Sequence, residues 1–219
     1  MNEKQFCFIL CSNNKQYETE CLRYVDALDV PDGYSIDYRI VHDAVSMTSG
    51  YNKAMHSSEA RYKIYLHQDV FILYKNFLSE LLLGFSDKSV GMIGMVGSPK
   101  LPRSCVMWYG ERVGMHYSNN IYSSVRNELK KVTEPQRVEA VDGFLMATQY
   151  DIVWREDVFK GWDFYDISQS FEFRKAGYDV IVPPSDKPWC FHDDGMLNLL
   201  NYNENRKLFK QTYKSMLSE

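Results

Sequence analysis

Residues 6–14 read FCFILCSNN, a continuous apolar run that ends abruptly in three polar residues. Such a run predicts a strand that is buried on both faces and delivers a polar loop at its carboxyl end. Apolar residues then recur at helical spacing over 17–28, and a Pro-Asp-Gly turn at 31–33 leads into an alternating strand over 36–41. This strand–helix–strand beginning is typical of a parallel sheet covered by helices.

The same alternation continues along the chain. Helices are predicted over 50–60, 77–85 and 167–176, strands over 63–66, 90–96, 140–148 and 178–182, and an amphipathic terminal helix over about 197–217. Residues 98–135 are irregular, and no linker or repeat divides the sequence. We therefore expect one α/β domain over residues 1–219, with a mostly parallel central sheet and helices on both faces.

The composition narrows the function classes. The 219 residues carry a net charge of −4, which gives no basic surface for nucleic acid or an anionic membrane. Binding of a polyphosphate would therefore need a local device such as a metal ion. Neither GxGxxG after the first strand nor GxxxxGK[ST] occurs, which argues against a dinucleotide-binding Rossmann site and a P-loop. Sixteen tyrosines supply aromatic surface that could hold sugar rings or simply pack.

Cysteine usage and the amino terminus bear on the cellular compartment. The five cysteines are odd in number and lack zinc-type spacing, so we expect no structural disulfide, as in a reducing compartment. The apolar run at 6–10 is too short for a signal peptide or a membrane span. These features predict a soluble, cytoplasmic protein without a transmembrane segment, and they are compatible with peripheral association at a membrane.

Polar residues at strand ends are the first candidates for a site, because ligands of open α/β sheets bind beyond the carboxyl ends of the strands. These are residues 12–14, Asp43, Asp69 and Asp142. Asp69 ends the triplet His67-Gln68-Asp69 and could hold a divalent ion against a diphosphate: Mg²⁺ accepts few carboxylates, and Mn²⁺ also accepts imidazole. The alternative is that Asp69 only caps the following segment.

Two further clusters could carry chemistry. Residues 191–195, FHDDG, follow a Pro-rich stretch that is predicted to place them in a loop, where His192 and its acidic neighbours are either metal ligands or a solvated turn. Asp166 ends the segment WDFYD and directly precedes a predicted helix. It is either an ordinary N-cap or, if its aromatic neighbours bury it and raise its pKa, a general base.

Together these segments resemble family-two glycosyltransferases of the GT-A fold. The matching segments are FILCSNN at 8–14, VHD at 41–43, NKA at 52–54, YLHQD at 65–69, VDGF at 141–144, and Asp166 followed by RKAGY at 174–178. The segments GWDFYDISQSFEFRKAGYDV and PWCFHDDG are most similar to the prokaryotic group with a StrF-like, streptomycin-biosynthesis-type domain, which is linked to capsular or surface polysaccharide synthesis. The sequence departs from the family pattern at His67, where an acid is usual, and at Tyr165, where Glu is usual.

The resemblance implies an inverting transfer of sugar from a nucleotide sugar, with a UDP-sugar as first choice, to a hydroxyl of a carbohydrate or glycolipid. Asp166 would be the base, and Asp69 with His192 would hold Mn²⁺ or Mg²⁺. The implied donor-binding residues are Ser12, Asn13, Asn14, Asp43, Asn52, His67, Gln68, Asp142 and Gly143. The stretch 108–122, with Tyr109, Met115, His116 and Tyr117, would cover the acceptor or be a merely packed loop.

Two other functions compete with transfer. A non-catalytic nucleotide- or sugar-binding protein of the same fold is favoured by the departures at His67 and Tyr165. A nucleotidyltransferase is disfavoured, because the basic Gly-rich loop that holds a triphosphate is absent from the sequence.

Overall fold

The computed structural model describes residues 1–120, 127–128, 131–195 and 198–217. Its helices are α1 (Lys15–Asp26), α2 (Met47–His56), α3 (Phe77–Gly84), α4 (Tyr165–Lys175) and α5 (Tyr202–Thr212), with a short 3₁₀ helix at Met107–Tyr109. Its strands are β1 (Asn2–Cys11), β2 (Ser35–Val41), β3 (Ala60–Leu66), β4 (Val70–Ile72), β5 (Val90–Gly94), β6 (Val96–Ser98), β7 (Val113–Asn120), β8 (Asn127–Glu128), β9 (Gln136–Arg137), β10 (Ala140–Val141), β11 (Leu145–Thr148), β12 (Asp179–Val182) and β13 (Cys190–Gly195).

The main sheet has the strand order β2-β1-β3-β11-β5-β12-β9. Strands β2, β1 and β3 are parallel, as are β5 and β12, whereas β11 and β9 run against their neighbours. The sheet is therefore mixed, with most strands in one direction. The predicted α/β fold class is confirmed.

Successive residues of β1 point to opposite faces of the sheet and so enter two different cores. Phe6, Phe8 and Leu10 pack with residues of α1 and α3. Cys7 and Ile9 pack with residues of α2 and α4 on the other face. This is why the run at 6–11 is apolar at every position, and it places helices on both faces of the sheet as expected.

A second sheet, β10-β6-β7-β13-β4 with β8 paired to β7, adjoins the first. The chain passes between the sheets several times, including after β3 at residues 67–69, after β5 at Met95, and between β10 and β11 at 142–144. The strands predicted over 90–96 and 140–148 are therefore each divided in two. Met95 continues the apolar run through the first break, and apolar residues stand on both sides of Asp142-Gly143 at the second, so the sequence pattern does not reveal that the chain changes sheets.

Three other segments differ from expectation. Residues 191–195 lie in strand β13 rather than in a loop, because β13 pairs with β4 and β7 on its two sides. The irregular stretch contains strand β7. Helix α5 is shorter than predicted. Tyr213, Met216 and Leu217 follow the helix in non-helical turns and still pack on the core, so the apolar spacing in the sequence continues beyond the end of the helix. Residue 197 of the predicted helix and residues 121–122 of the predicted acceptor loop lie outside the described residues.

The five cysteines are all free, as predicted. Within the described ranges, no helix combines the length and the apolar character needed to cross a membrane.

Candidate active site

The site lies where the two sheets meet, and backbone hydrogen bonds hold the segments that form it. The His67 N–H donates to the carbonyl of Phe144 at 3.0 Å, which joins the β3–β4 turn to the β10–β11 turn. The Asp193 N–H donates to the carbonyl of Asp69 at 3.0 Å, which joins the same turn to β13. Three stretches that are distant in sequence are thereby fixed against one another.

These segments bring three potential metal ligands together, which we call the ion triad: His67, Asp69 and His192. One ligand atom of each lies within 4.8 Å of the others. The His67 Nδ1 is 3.4 Å from the His192 Nε2, and the Asp69 Oδ1 is 3.9 and 3.5 Å from those two nitrogens, respectively. The Asp69 Oδ1 is buried without a hydrogen-bond partner among the described residues. Because a buried carboxylate oxygen is costly to leave unpaired, the triad has the character of a cation site.

Protonation in the triad follows from burial and mutual charge. Burial, then the neighbouring His192, lower the pKa of His67, so His67 is a neutral imidazole with a lone pair to offer. Burial alone would lower the pKa of His192, but its contact with Asp69 raises it. Burial alone would raise the pKa of Asp69, but His192 and His67 lower it, which keeps the carboxylate charged.

Asp166 lies in the first turn of α4, where its side chain faces the β10–β11 turn. The N-cap position of this helix belongs to Phe164, so the structure does not give Asp166 the N-cap position. Its Oδ2 instead accepts a hydrogen bond from the Gly143 N–H at 3.0 Å. Burial, and then the charge of Asp142, raise the pKa of Asp166 to about 7. A carboxyl group that titrates near neutrality suits a general base.

Gly143 is required by the close approach of α4 to this turn. A Cβ at position 143 would lie 2.2 Å from the Tyr165 hydroxyl oxygen and 2.8 Å from the Asp166 Cβ. Any larger residue would push Tyr165 and Asp166 away from the turn. The glycine thus sets the position of the candidate base.

Two cavities flank the ion triad. We name each cavity after the ligand that the sequence led us to expect there. The acceptor-side cavity has a volume of about 490 Å³, and Asp142, Asp166 and His192 are among its lining residues. The nucleoside-side cavity has a volume of about 590 Å³, and Ser12, Asn13, His42, Gln68 and Asp69 are among its lining residues. His67, Trp162, Asp163 and Asn198 line both. Both volumes are typical of small-molecule sites, and the triad forms the ridge between them.

Gln68 fixes the loop after β1 at the edge of the nucleoside-side cavity. Its Oε1 accepts hydrogen bonds from the Ser12 hydroxyl at 3.1 Å and from the N–H groups of Asn13 and Asn14 at 3.0 and 2.9 Å. Its Nε2 donates to the Asn13 Oδ1 at 2.8 Å. The Asn14 side chain caps α1 by accepting from Gln16 and Tyr17 N–H groups. The loop is therefore held in place by the residue between the two triad members His67 and Asp69.

A buried acid, Glu18, supports the same loop from α1. Burial would raise its pKa, but hydrogen bonds with Lys15 and His42 lower the pKa of Glu18 to about 2. The His42 Nε2 lies 2.7 Å from its Oε2. Glu18 thereby orients His42, which lines the nucleoside-side cavity.

Four predicted donor-binding residues are not among the lining residues of either cavity: Asn14, which caps α1, Gly143, which holds Asp166, and Asp43 and Asn52. Asn52 is buried, its amide donating to the Trp154 carbonyl at 2.9 Å and accepting from the Trp154 N–H at 2.8 Å. Asp43 is exposed and paired with Lys53 at 2.8 Å. The structure thus gives Asn52 a role in packing and leaves Asp43 on the surface beside His42.

Of the four residues singled out in the acceptor-side stretch, one lines the acceptor-side cavity, and two other residues of the stretch line it as well. His116 lines the acceptor-side cavity together with Trp108 and Arg112, whereas Tyr109, Met115 and Tyr117 are not among its lining residues. His116 stacks on Phe144 at 4.9 Å between ring centroids, and burial lowers the pKa of its imidazole to about 4. It is therefore a neutral hydrogen-bonding group at physiological pH.

Sequence reasoning missed several lining residues. Trp162 and Asp163 lie in the same WDFYD segment as Asp166, so their position beside the candidate base was a usable signal. Arg112 lies in the stretch 108–122 that was expected to cover the acceptor, whereas no motif surrounds Tyr202 and only the fold brings it to the cavity. Trp162 is 53% exposed and stands at the boundary of both cavities, as a sugar-binding aromatic side chain would.

Comparison with solved structures defines the class of the fold. A mannosyltransferase from Pyrobaculum calidifontis, in complex with GDP-Man and Mn²⁺, matches 99% of this chain and 64% of its own at 12% identity, with a TM-score of 0.61. TarS from S. aureus matches 96% of this chain and 72% of its own at 12% identity, with a TM-score of 0.58. A TarS complex with UDP-GlcNAc matches 89% of this chain and 59% of its own at 9% identity, with a TM-score of 0.58. The fold is that of the GT-A glycosyltransferases.

The family follows from the sequence. The model of the glycosyltransferase-like family matches residues 7–213, and the chain belongs to this family. No curated protein sequence matches the chain significantly. The chain spans just under two thirds of the mannosyltransferase, and the low identities to the solved structures establish the fold alone.

Proposed function

We propose that this protein is a metal-dependent, inverting glycosyltransferase that moves a sugar from a nucleotide sugar to an acceptor hydroxyl. The observation that carries the proposal is the placement of the ion triad on the ridge between the two cavities, with Asp166 in the wall of the acceptor-side cavity. A donor molecule consists of a nucleoside, a charged diphosphate and a sugar. One cavity, the ion triad and the other cavity would accommodate these three parts in that order.

The nucleoside would occupy the cavity bounded by the β1 loop and His42. The diphosphate would lie over the ridge, where the protein offers the buried Asp69 Oδ1 and two imidazoles as ligands for a divalent ion. Such an ion, when bound, supplies the positive charge that a leaving diphosphate needs. This local charge is required because the chain as a whole carries −4. Of the two ions expected from the sequence, Mn²⁺ suits the imidazoles better than Mg²⁺ does.

Asp166 would perform the proton transfer. Its carboxylate takes the proton of the acceptor hydroxyl as the hydroxyl oxygen bonds to the anomeric carbon and the bond from that carbon to the diphosphate oxygen breaks. The Gly143 N–H holds the carboxylate in place, and its pKa of about 7 leaves a substantial deprotonated fraction at neutral pH. Asp142, across the cavity wall, favours the proton on Asp166 once it has been taken up.

The substrate class is inferred from the related proteins. Two of the solved structures hold GDP-Man and UDP-GlcNAc, which supports a nucleotide sugar as donor and keeps a UDP-sugar as first choice. Trp108, Trp162 and Tyr202 line the acceptor-side cavity and suit a carbohydrate or glycolipid. The resemblance to the StrF-like group supports a role in surface polysaccharide synthesis.

The test is a transfer assay over a panel of UDP- and GDP-sugars with Mn²⁺ and carbohydrate acceptors. We expect turnover by the wild type and a loss of about 10²- to 10⁴-fold in Asp166→Asn, with donor affinity retained. Asp32→Asn, an exposed acid in a turn outside both cavities, is the matched control and should transfer like the wild type. Donor binding by the wild type without turnover on any donor and acceptor would favour a binding protein of the same fold.

A further inference from the structure

The two positions at which this chain departs from the family pattern are in direct contact. The His67 Nε2 lies 2.5 Å from the Tyr165 hydroxyl oxygen. We propose that His67 is an ion ligand and that Tyr165 is the positioning residue that fixes the His67 ring for this role. The resulting set of ligand atoms selects a transition-metal dication over Mg²⁺. This inference rests on the proposed function. On this proposal the residues His67 and Tyr165 act as a pair, and their departures from the family pattern are not two independent losses of catalytic groups.

The hydrogen bond decides which His67 nitrogen faces the ion. Because Tyr165 forms its hydrogen bond with the His67 Nε2, the His67 Nδ1 faces the triad, 3.4 Å from the His192 Nε2 and 3.9 Å from the Asp69 Oδ1. A histidine that binds a metal through one nitrogen needs a partner for the N–H on the other, and that partner sets the tautomer. The Tyr165 hydroxyl oxygen is placed to accept this N–H, which directs the Nδ1 lone pair to the triad.

Packing makes the arrangement rigid. Tyr165 is buried, with its ring 5.9 Å from that of Tyr51 and 6.2 Å from that of Trp154. The absent side chain at Gly143 leaves room for its hydroxyl. On the other side of the triad, His192 stacks on Phe144 at 5.2 Å. Both imidazoles are therefore held by aromatic neighbours before any ion arrives, which lowers the entropic cost of binding.

The donor set follows from this geometry and has a chemical preference. It contains two imidazole nitrogens and one carboxylate oxygen. Mg²⁺ demands oxygen ligands and gives up its water reluctantly, whereas Mn²⁺, Co²⁺ and Zn²⁺ accept imidazole. An acid at position 67 would provide a second oxygen and suit Mg²⁺ better. The exchange to His67 with Tyr165 therefore changes which ions the site accepts.

The test uses the EDTA-stripped full chain and the metal ions alone. Mn²⁺ binding is followed by electron paramagnetic resonance, Mg²⁺ by competition, and Co²⁺ by its visible absorption. We expect the wild type to bind Mn²⁺ and Co²⁺ at least about tenfold more tightly than Mg²⁺. Tyr165→Phe should weaken Mn²⁺ binding by about 10-fold, in the range seen when the hydrogen-bond partner of a metal ligand is removed.

Two variants complete the design. Tyr150→Phe, which removes a tyrosine hydroxyl bonded to the Lys88 carbonyl away from both cavities, should bind Mn²⁺ like the wild type. His67→Asp should narrow the ratio of Mn²⁺ to Mg²⁺ affinity by replacing a nitrogen ligand with an oxygen. If Tyr165→Phe does not fold, the comparison of His67→Asp with the wild type still tests whether His67 is an ion ligand.

The outcomes separate this inference from the proposed function. Selective ion binding that depends on His67 and Tyr165, without transfer on any donor, supports the inference and counts against the transferase. Equal affinity of the wild type for Mg²⁺ and Mn²⁺, or an unchanged ratio in His67→Asp, overturns the inference even if transfer is observed. A folded Tyr165→Phe with wild-type Mn²⁺ affinity overturns the role of Tyr165.

Discussion

Replacing Asp166 by Asn should change how the stability of the protein depends on pH, in addition to its effect on transfer. Burial and the charge of Asp142 raise the pKa of Asp166 from an ordinary 3.8 to about 7 in the folded chain. In the unfolded chain the group ionises near its ordinary value. Stability that is fully present below about pH 4 is therefore lost as pH rises through about 7, because the folded state holds the proton longer.

The size of the effect follows from the shift. At 1.36 kcal/mol per pKa unit, ionised Asp166 costs the folded state roughly 4 kcal/mol above neutrality. Asn is neutral at every pH and keeps an oxygen that can accept the Gly143 N–H. Asp166→Asn should therefore equal the wild type in stability near pH 4 and exceed it by up to roughly 4 kcal/mol near pH 8.

The measurement is urea unfolding of wild type and Asp166→Asn in EDTA at several pH values between about 4 and 8. The difference between the free energies of unfolding of the two proteins cancels the contributions of all titrating groups that they share. Asp32→Asn serves as the control and should give a small difference that does not vary with pH. A pH-independent difference for Asp166→Asn, or a variant less stable than the wild type near pH 8, would refute the reasoning about this carboxyl group.

Three substitutions test the supporting structure. Gln68→Ala should weaken nucleotide binding by freeing the β1 loop, with Mn²⁺ affinity retained, as titration calorimetry can show. Gly143→Ala should lower the free energy of unfolding by about 1–3 kcal/mol and reduce transfer, whereas Gly161→Ala, whose Cβ would meet only Asn205 at 3.5 Å, should be tolerated. Asn52→Ala should cost about 1–3 kcal/mol of stability in urea unfolding but leave nucleotide affinity unchanged; a selective loss of affinity would restore Asn52 to the donor site.

The architecture was largely predictable from the sequence because strand and helix periodicities are local. The run at 6–11, the helix stop at Gly177 and the alternation between them gave the α/β class correctly. What periodicity could not give is the change of sheet at Met95 and at residues 142–144, because apolar strand residues stand on both sides of each point. Strand β13 escaped prediction because its sequence, CFHDDG, includes three consecutive polar residues, of which His192 and Asp194 line the acceptor-side cavity.

The site was predictable where residues stand at strand ends and not where the fold alone places them. Asp69, Asp142 and Asp166 line the two cavities because topology sends strand ends and the adjoining helix turn to one edge, and their roles stay predictions. The partnership of His67 with His192 spans 125 positions and needed the pairing of β13 with β4 to appear. Asn52 shows the opposite case: this polar residue of a matching segment satisfies its hydrogen bonds with Trp154 inside the core and lines neither cavity, so its donor-binding role stays a prediction.

The central claim is that the two cavities bind a nucleoside diphosphate through a divalent ion held at the ridge. Titration calorimetry of UDP and of GDP into the wild type, with Mn²⁺ and then with EDTA, tests it most directly, with Asp69→Asn as the matched variant. We predict that the nucleotide binds with Mn²⁺ and that, at a nucleotide concentration of roughly 100 times the dissociation constant, it raises the free energy of unfolding by about 2.7 kcal/mol. Binding and stabilisation should both be lost in EDTA and in a normally folded Asp69→Asn. Equal nucleotide affinity with Mn²⁺ and with EDTA, or in Asp69→Asn and the wild type, would contradict it.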